Sequence, residues 1–331
     1  MAPAMIPPDD APAFLAAHGW AGATIAPLAG DASFRRYFRV RDGARVAVLM
    51  DAPPAKGEDV RPFLAIARHL ARLGLSAPAI LAEDVEGGLL LLEDLGDRLV
   101  GPLLRADATP EAEIYGAAVD LLRGLAAAPL PAGLPPYDRA VLERELDLFV
   151  DWYGPALGLT FDRAGWRAAW QPVLGLVEAP RPPVLVLRDF HVDNLMLLDR
   201  PGLAGLGLLD FQDALAGHAA YDLVSLLQDA RRTVSPAIEA AMLARYGGGA
   251  IDPGFRAAYE VLGAQRNIKI LGIFTRLWKR DGKPGYLRHQ PRVWGYVERN
   301  LAHPALAPVA DWFARHVPAA ARAAAWEPTP A

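Results

Sequence analysis

The stretch VLVLRDFHVDNLMLL, residues 184–198, sets the strongest constraint on what this chain can become. Arg188, Asp189, His191, Asp193 and Asn194 are crowded between two apolar runs that demand burial. An ionised group that is neither solvated nor paired costs several kcal/mol. The polar residues must therefore form a loop tip open to water, a metal site, or both. Because the chain has no cysteine, zinc–thiolate centres, iron–sulfur clusters, disulfides and thiol nucleophiles are excluded.

Asp189 and Asn194 are five apart, and sixteen residues further on Asp210 ends the apolar run of GLLDFQDA (207–214). This order suits phosphoryl transfer. One carboxylate accepts or orients the proton of the attacking hydroxyl, while the amide oxygen and the second carboxylate hold Mg²⁺ against nucleotide phosphates. Mg²⁺ prefers hard oxygen ligands and keeps several waters, so two side chains suffice. LMLL (195–198) and LGLL (206–209) are expected to form a β-ribbon that fixes those oxygens on a rigid rim. Taken singly, each acid is equally well explained as a surface residue capping a turn. The conjunction with flanking strands carries the reading.

The rest of the chain predicts an α+β fold. SFRRYFRV (33–40), RDG (41–43) and ARVAVLM (44–50) read as strand, turn and strand. Phe63, Ile66, Leu70 and Leu73 fall at helical spacing within 60–75, and Gly74 stops that run. PAILAED (78–84) and LLLLED (89–94) form a second hairpin. Helical patterns then cover 111–128, 140–154, 164–177, 221–231, 235–246, 253–278 and 306–325. A small β-rich lobe over 1–95 and a larger helical lobe over 96–331 follow.

The first lobe is expected to bind nucleotide. Gly30 and Ser33, in a loop entering a strand, can present N–H groups to phosphate, and the backbone of Glu93 to Leu95 can meet adenine. In QRNIKILGIF, Arg266, Asn267 and Lys269 interrupt an apolar helix. They either line a substrate pocket or form a solvated face with snorkelling side chains. Trp152, Tyr153, Trp278 and Trp294 are expected in the core rather than against a ligand. A net charge of −4 with no basic stripe argues against nucleic acid. The first basic residue is Arg35, and Ala11–Ala29 is broken by His18, Gly19 and Pro27, so neither a signal peptide nor a membrane span is expected.

At these residues the chain resembles the aminoglycoside phosphotransferase family, which has a protein-kinase-like two-lobe fold. GDASFRRYF, LLLLEDLG, LRDFHVDN and LLDFQDA carry the resemblance over residues 30–213, and YDLVSLLQDAR extends it. GDASFRRYFRV, VLMDAPP, LLDFQDALAG and QRNIKILGIFTRL are similar to a branch that phosphorylates the anomeric hydroxyl of N-acetylmuramate and N-acetylglucosamine in cell-wall recycling. The resemblance implies ATP as co-substrate, Mg²⁺, an amino-sugar acceptor, and a cytoplasmic monomer without nucleic-acid or membrane partners. It makes Asp189 the catalytic aspartate, with Asn194 and Asp210 as Mg²⁺ ligands. His191, Arg266, Asn267 and Lys269 are expected at the sugar, where a guanidinium can hold a lactyl carboxylate bidentately. Asp222 matches a family acid read as structural, opening and capping its helix.

Two positions depart from the family. Leu187 replaces a histidine that usually braces the catalytic loop, so another contact must do so. The lysine that related kinases place on the third strand is absent, with Met50 or Asp51 near its position. Either Arg35, Arg36 or Lys56 covers the phosphates, or the chain binds nucleotide without transferring phosphate. An aminoglycoside, choline or a different sugar hydroxyl competes with the anomeric hydroxyl as acceptor. A metal-dependent phosphohydrolase using Asp189, His191, Asp193 and His218 leaves the β-rich lobe unexplained.

Overall fold

The structure, a computed structural model, describes residues 5–30, 34–107, 109–178 and 182–323. The chain divides into two compact units, Met1–Pro110 with Val192–Ala214, and Glu111–His191 with Leu215–Ala331. This division differs from a single cut after residue 95, because 96–110 and 192–214 both join the first unit. There Ser76 bridges to Gly207 and Leu99 to Met196.

In the first unit, β1 (Thr24–Gly30), β2 (Arg36–Asp42), β3 (Arg45–Asp51), β4 (Ile80–Asp84) and β5 (Leu89–Glu93) form an antiparallel sheet ordered β1-β2-β3-β5-β4. Gly30, expected in a loop, lies in β1 opposite Arg36. Pro27 marks a register shift in that edge strand, where a missing N–H is tolerated. Side chains alternate across β3. Ala47 and Leu49 pack with Phe14, Leu15 and Trp20, whereas Val48 lines a cavity on the other face. By the two-residue period, Met50 shares the face of Val48. Of Met50 and Asp51, Met50 is therefore the one on the cavity face, the face on which a strand lysine would have to lie.

Further along the chain come the short strands β6 (Val184–Val186), β7 (Leu195–Leu197), β8 (Leu206–Leu208) and β9 (Leu215–Gly217). The expected ribbon is β7 against β8, with Leu195 opposite Leu208. β6 instead pairs with β9 in the second unit. Gly207 permits a close approach in the β7–β8 ribbon, since a Cβ there would lie 3.0 Å from both Leu95 Cδ1 and Met196 Cβ.

The second unit is helical around the 27-residue helix Pro253–Lys279, buried along most of its length. Its polar residues do not form a solvated face. Asn267 donates to Gln228 at 2.7 Å, and Gln228 also donates to Asn300. This network explains why the helix expected over 221–231 runs only Ala220–Leu227: Gln228 leaves helical geometry and turns its amide inward. The expected helix 140–154 becomes Arg139–Leu148 followed by a π turn, Phe149–Tyr153. That turn sets Phe149 among Tyr153, Trp166 and Phe313. Tyr153 and Trp294 lie in this core, as expected. The helix Gln290–Leu301 is not among the expected helices, and the segment expected as one helix over 306–325 contains helices Ala307–His316 and Ala319–Ala323.

Glu145 ties this unit together. It accepts from Arg188 at 2.6 Å, Lys269 at 2.9 Å and Gln265 at 3.1 Å, and from the Tyr137 hydroxyl. Burial raises its pKa, but the Lys269 ammonium and Arg188 guanidinium outweigh that and bring it down to about 2. Removing one partner of a buried pair strands the others, at a cost of about 3–5 kcal/mol. Glu145→Gln is expected to lose stability on that scale in chemical denaturation. A loss below about 1 kcal/mol would show that Glu145 is dispensable to the core.

Candidate active site

In the second unit, Leu187, Arg188 and Asp189 leave the end of β6. Asp222 accepts from the Leu187 N–H at 2.6 Å and the Arg188 N–H at 2.9 Å, and the Ser225 hydroxyl donates to the Arg188 carbonyl at 3.1 Å. These contacts brace the loop in place of the family's histidine. Asp222 is thus structural, as expected, but it serves this loop and makes no cap on its own helix. Arg188 is held at φ 70°, a left-handed conformation that non-glycine residues avoid. Its guanidinium turns to Glu145, so it is a structural ion pair.

Asp189 is exposed. The surrounding protein raises its pKa, but the charges of Lys269 and Arg266, then Arg188, hold it below the usual carboxylate range. Asp189 is consequently ionised at neutral pH and able to accept a proton. His191 is buried, with Nε2 3.0 Å from Arg231 Nη1. Burial first, and the Arg231 charge second, push its pKa down to about 4, so the ring is neutral.

The remaining residues expected at the sugar differ in availability. Asn267 is spent on Gln228 and Lys269 on Glu145 and the Tyr221 hydroxyl. Arg266 is buried, and its Nη1 has no hydrogen-bond partner among the described residues.

In the first unit, the β7–β8 register explains a second pairing. Asn194 and Asp210 flank the same end of that ribbon, and Leu209 N–H bonds the Asn194 carbonyl at 3.0 Å. Asn194 Nδ2 therefore donates to Asp210 Oδ2 at 3.4 Å, and Gln212 donates to Oδ1 at 2.8 Å. Asp210 is also left-handed, at φ 57°. Gly101 lies against the neighbouring Asp193, where a Cβ would fall 1.8 Å from Asp193 Oδ1. Asp193 itself pairs with Arg105 at 3.0 Å. With its nitrogen turned to Asp210, the Asn194 amide keeps its oxygen as a hard donor, and that oxygen with the Asp210 carboxylate is the donor chemistry Mg²⁺ takes. Among the described residues no three His, Asp or Glu side chains gather as a metal-binding group.

The same unit holds a cavity of about 420 Å³, lined by Val48 and Leu92, by the segment Glu93 to Gly96, and by Asn194 and Asp210. The expected adenine-contacting backbone and the expected metal ligands thus share one cavity. The Glu93 carboxylate is engaged with Arg200, and its N–H donates to the Ala79 carbonyl at 2.8 Å. Arg35 Nη2 lies 3.8 Å from Asp210 Oδ1. Ser33 falls outside the described residues. Sequence reasoning missed Glu58, whose carboxylate lies 3.9 Å from Arg35, because no motif marks it.

The sequence model of the phosphotransferase enzyme family matches residues 24–261. A relative from Caulobacter vibrioides, named N-acetylmuramate/N-acetylglucosamine kinase, is 41% identical over 352 residues, covering 94% of this chain and 96% of its own. A relative of the same name from Pseudomonas aeruginosa is 39% identical over 320 residues, 92% of each chain. The solved GDP complex of wild-type aminoglycoside 2'-phosphotransferase-IIIa shares the fold, with a TM-score of 0.62 at 15% identity over 87% of this chain and 97% of that one. No helix among the described residues is long and apolar enough to cross a membrane.

The neutral state of His191 has a consequence for stability. Its folded pKa of about 4 lies below the ordinary histidine value of 6.5, so the unfolded chain binds the extra proton in between. Stability from this group is present above about pH 6.5 and drains away as the pH falls towards 4, by at most about 3 kcal/mol. Thermal melts between pH 7.5 and 4 should show a shallower acid decline for His191→Gln than for the wild type. Parallel declines would assign the acid sensitivity elsewhere.

Proposed function

Because the chain belongs to the phosphotransferase enzyme family, we propose that it transfers the γ-phosphoryl group of ATP to the anomeric hydroxyl of N-acetylmuramate or N-acetylglucosamine, giving the 1-phosphate in cell-wall recycling. The observation that carries the reading is the shared cavity, in which Glu93 to Gly96 and the Asn194–Asp210 pair line one space of nucleotide size. Relatives spanning nearly the whole chain support the acceptor.

The nucleotide lies with its base against the backbone of Glu93 to Leu95. Asn194 and Asp210 would hold Mg²⁺, which when bound neutralises phosphate charge. Asp189 orients the sugar hydroxyl and takes its proton as the sugar oxygen–phosphorus bond forms and the bond to the ADP oxygen breaks. Four residues separate Asp189 from Asn194, a chain length of at most about 17 Å between their Cα atoms, and kinase chemistry needs base and metal ligands near one phosphoryl group. Positioning and charge neutralisation supply most of the acceleration. His191 and Arg266 serve the acceptor, whereas Asn267 and Lys269 support it from the interior. The enzyme acts as a cytoplasmic monomer.

Lys269, Arg266 and Arg188 impose positive potential at Asp189, which suits a neutral or carboxylated sugar better than a cationic aminoglycoside or choline.

Asp189→Asn is expected to leave ATP affinity within about twofold in calorimetry and to lower turnover at least ~10²-fold. Near-normal turnover would remove Asp189 from the mechanism. With Mg-ATP and a hexosamine panel, the product should release its phosphate in mild acid. An acid-stable phosphate would move the reaction to another hydroxyl, and no product from any sugar would leave a nucleotide-binding module.

A further inference from the structure

Met50 holds the face on which a strand lysine would have to lie, so a cation for the phosphates must come from elsewhere. Three residues are near enough in sequence. Arg36 is spent, with Nε 2.6 Å from Asp51 Oδ2 and Nη1 on the Ile6 carbonyl at 2.9 Å. Lys56 is exposed and sits over the Phe34 ring, 5.4 Å from its centroid. Arg35 reaches a residue of the nucleotide cavity, Asp210, at 3.8 Å. Its Nε faces Glu58 at 3.9 Å. Only 11% of the Arg35 side chain and 17% of the Glu58 side chain is accessible, so solvent screens this pair weakly.

Glu58 is itself fixed. Its Oε1 accepts the Phe34 N–H at 3.0 Å, tying it to the backbone beside the arginine it faces. A planar guanidinium has five donors, and with Glu58 on the Nε side it is Nη2 that lies towards Asp210.

Resting on the phosphotransfer reading, we propose that Arg35 replaces the strand ammonium as the cation that contacts the nucleotide phosphates, and that Glu58 is the positioning residue that aims it. Before a phosphate arrives, Arg35 offsets the negative charge of Asp210. When the nucleotide binds, its phosphates become the anionic partner of the Nη groups, while Glu58 keeps hold of Nε. Removing Glu58 frees the guanidinium to wander without removing its charge. Removing Arg35 removes the charge itself.

The test compares ADP with adenosine, which share a base and ribose but not the phosphates, by calorimetry on the full chain in EDTA and without sugar. Arg35→Ala should weaken ADP at least tenfold and leave adenosine within twofold, and Arg35→Lys should recover part of the loss. Glu58→Gln should weaken ADP three- to tenfold with adenosine unchanged, and should have no further effect in the Arg35→Ala background. Equal losses for ADP and adenosine would mean a collapsed pocket and overturn the proposal. So would an unchanged ADP affinity in Arg35→Ala, or a full Glu58→Gln effect without Arg35. Because no acceptor is present, a wrong sugar assignment leaves these results intact. A wild type that binds no nucleotide would overturn this proposal and the phosphotransfer reading together.

Discussion

The buried carboxylate of Asp222 is the interaction on which the catalytic loop depends. Both of its oxygens accept backbone N–H groups, from Leu187 and Arg188, and hydrogen bonds to a charged acceptor contribute about 1.5–3 kcal/mol each. The strained left-handed backbone at Arg188 costs on the order of 1–3 kcal/mol, which those two bonds offset. Burial raises the Asp222 pKa to about 7 against these same two donors. The loop is therefore held by a group near the limit of its ability to remain charged. Ser225 on the Arg188 carbonyl and Glu145 on the guanidinium take up the rest of that residue's polar capacity. The side chain that this loop turns outward is Asp189.

The charges around Asp189 have two opposed effects on the proposed reaction. They keep the carboxylate ionised, and so always ready to accept a proton. They also make it a weak base, because a low pKa reduces the driving force for taking that proton. An acceptor hydroxyl of ordinary acidity is poorly served by such a group. The anomeric hydroxyl is more acidic than the others on a sugar, and in a loose phosphoryl transfer the proton leaves late. The electrostatics of the loop thus favour an orienting base and an acidic acceptor.

Much of this was legible in the sequence because it is local. Apolar runs flanking Asn194 and Asp210 predict the β7–β8 ribbon, and antiparallel pairing then brings the two side chains together with no further information. The two hairpins of the sheet were equally plain from alternation and turn residues. Long-range pairings were not. Nothing in VLVL announces that β6 joins β9 rather than the neighbouring ribbon. Asp222 reads as a helix cap until its partners 34 and 35 residues away are known. The helix Gln290–Leu301 carries Val293, Trp294, Val297 and Leu301 on one face; its signal was present, but the Pro and Arg residues around it obscured the period. Asn267 and Lys269 of QRNIKILGIF turn into the core instead of to solvent. A sequence does not reveal that Gln228, Asn300 and Glu145 wait in the interior to satisfy them.

Moving the phosphate cation off the strand changes what the sheet must bear. A lysine at position 50 would put an ammonium on a face otherwise formed by Val48 and Leu92, where it needs a buried carboxylate in register to offset desolvation. Methionine there keeps the wall apolar and paired with Tyr37 across the strands. On the proposed role of Arg35, the cation comes from the entry to β2, with Glu58 fixed by the Phe34 backbone as its anchor. A strand lysine is aimed by the hydrogen-bonded ladder beneath it, whereas an arginine at a strand entry is aimed by the carboxylate beside it. The guanidinium offsets this loss of rigidity with its planar set of donors, which remain oriented when one edge is held.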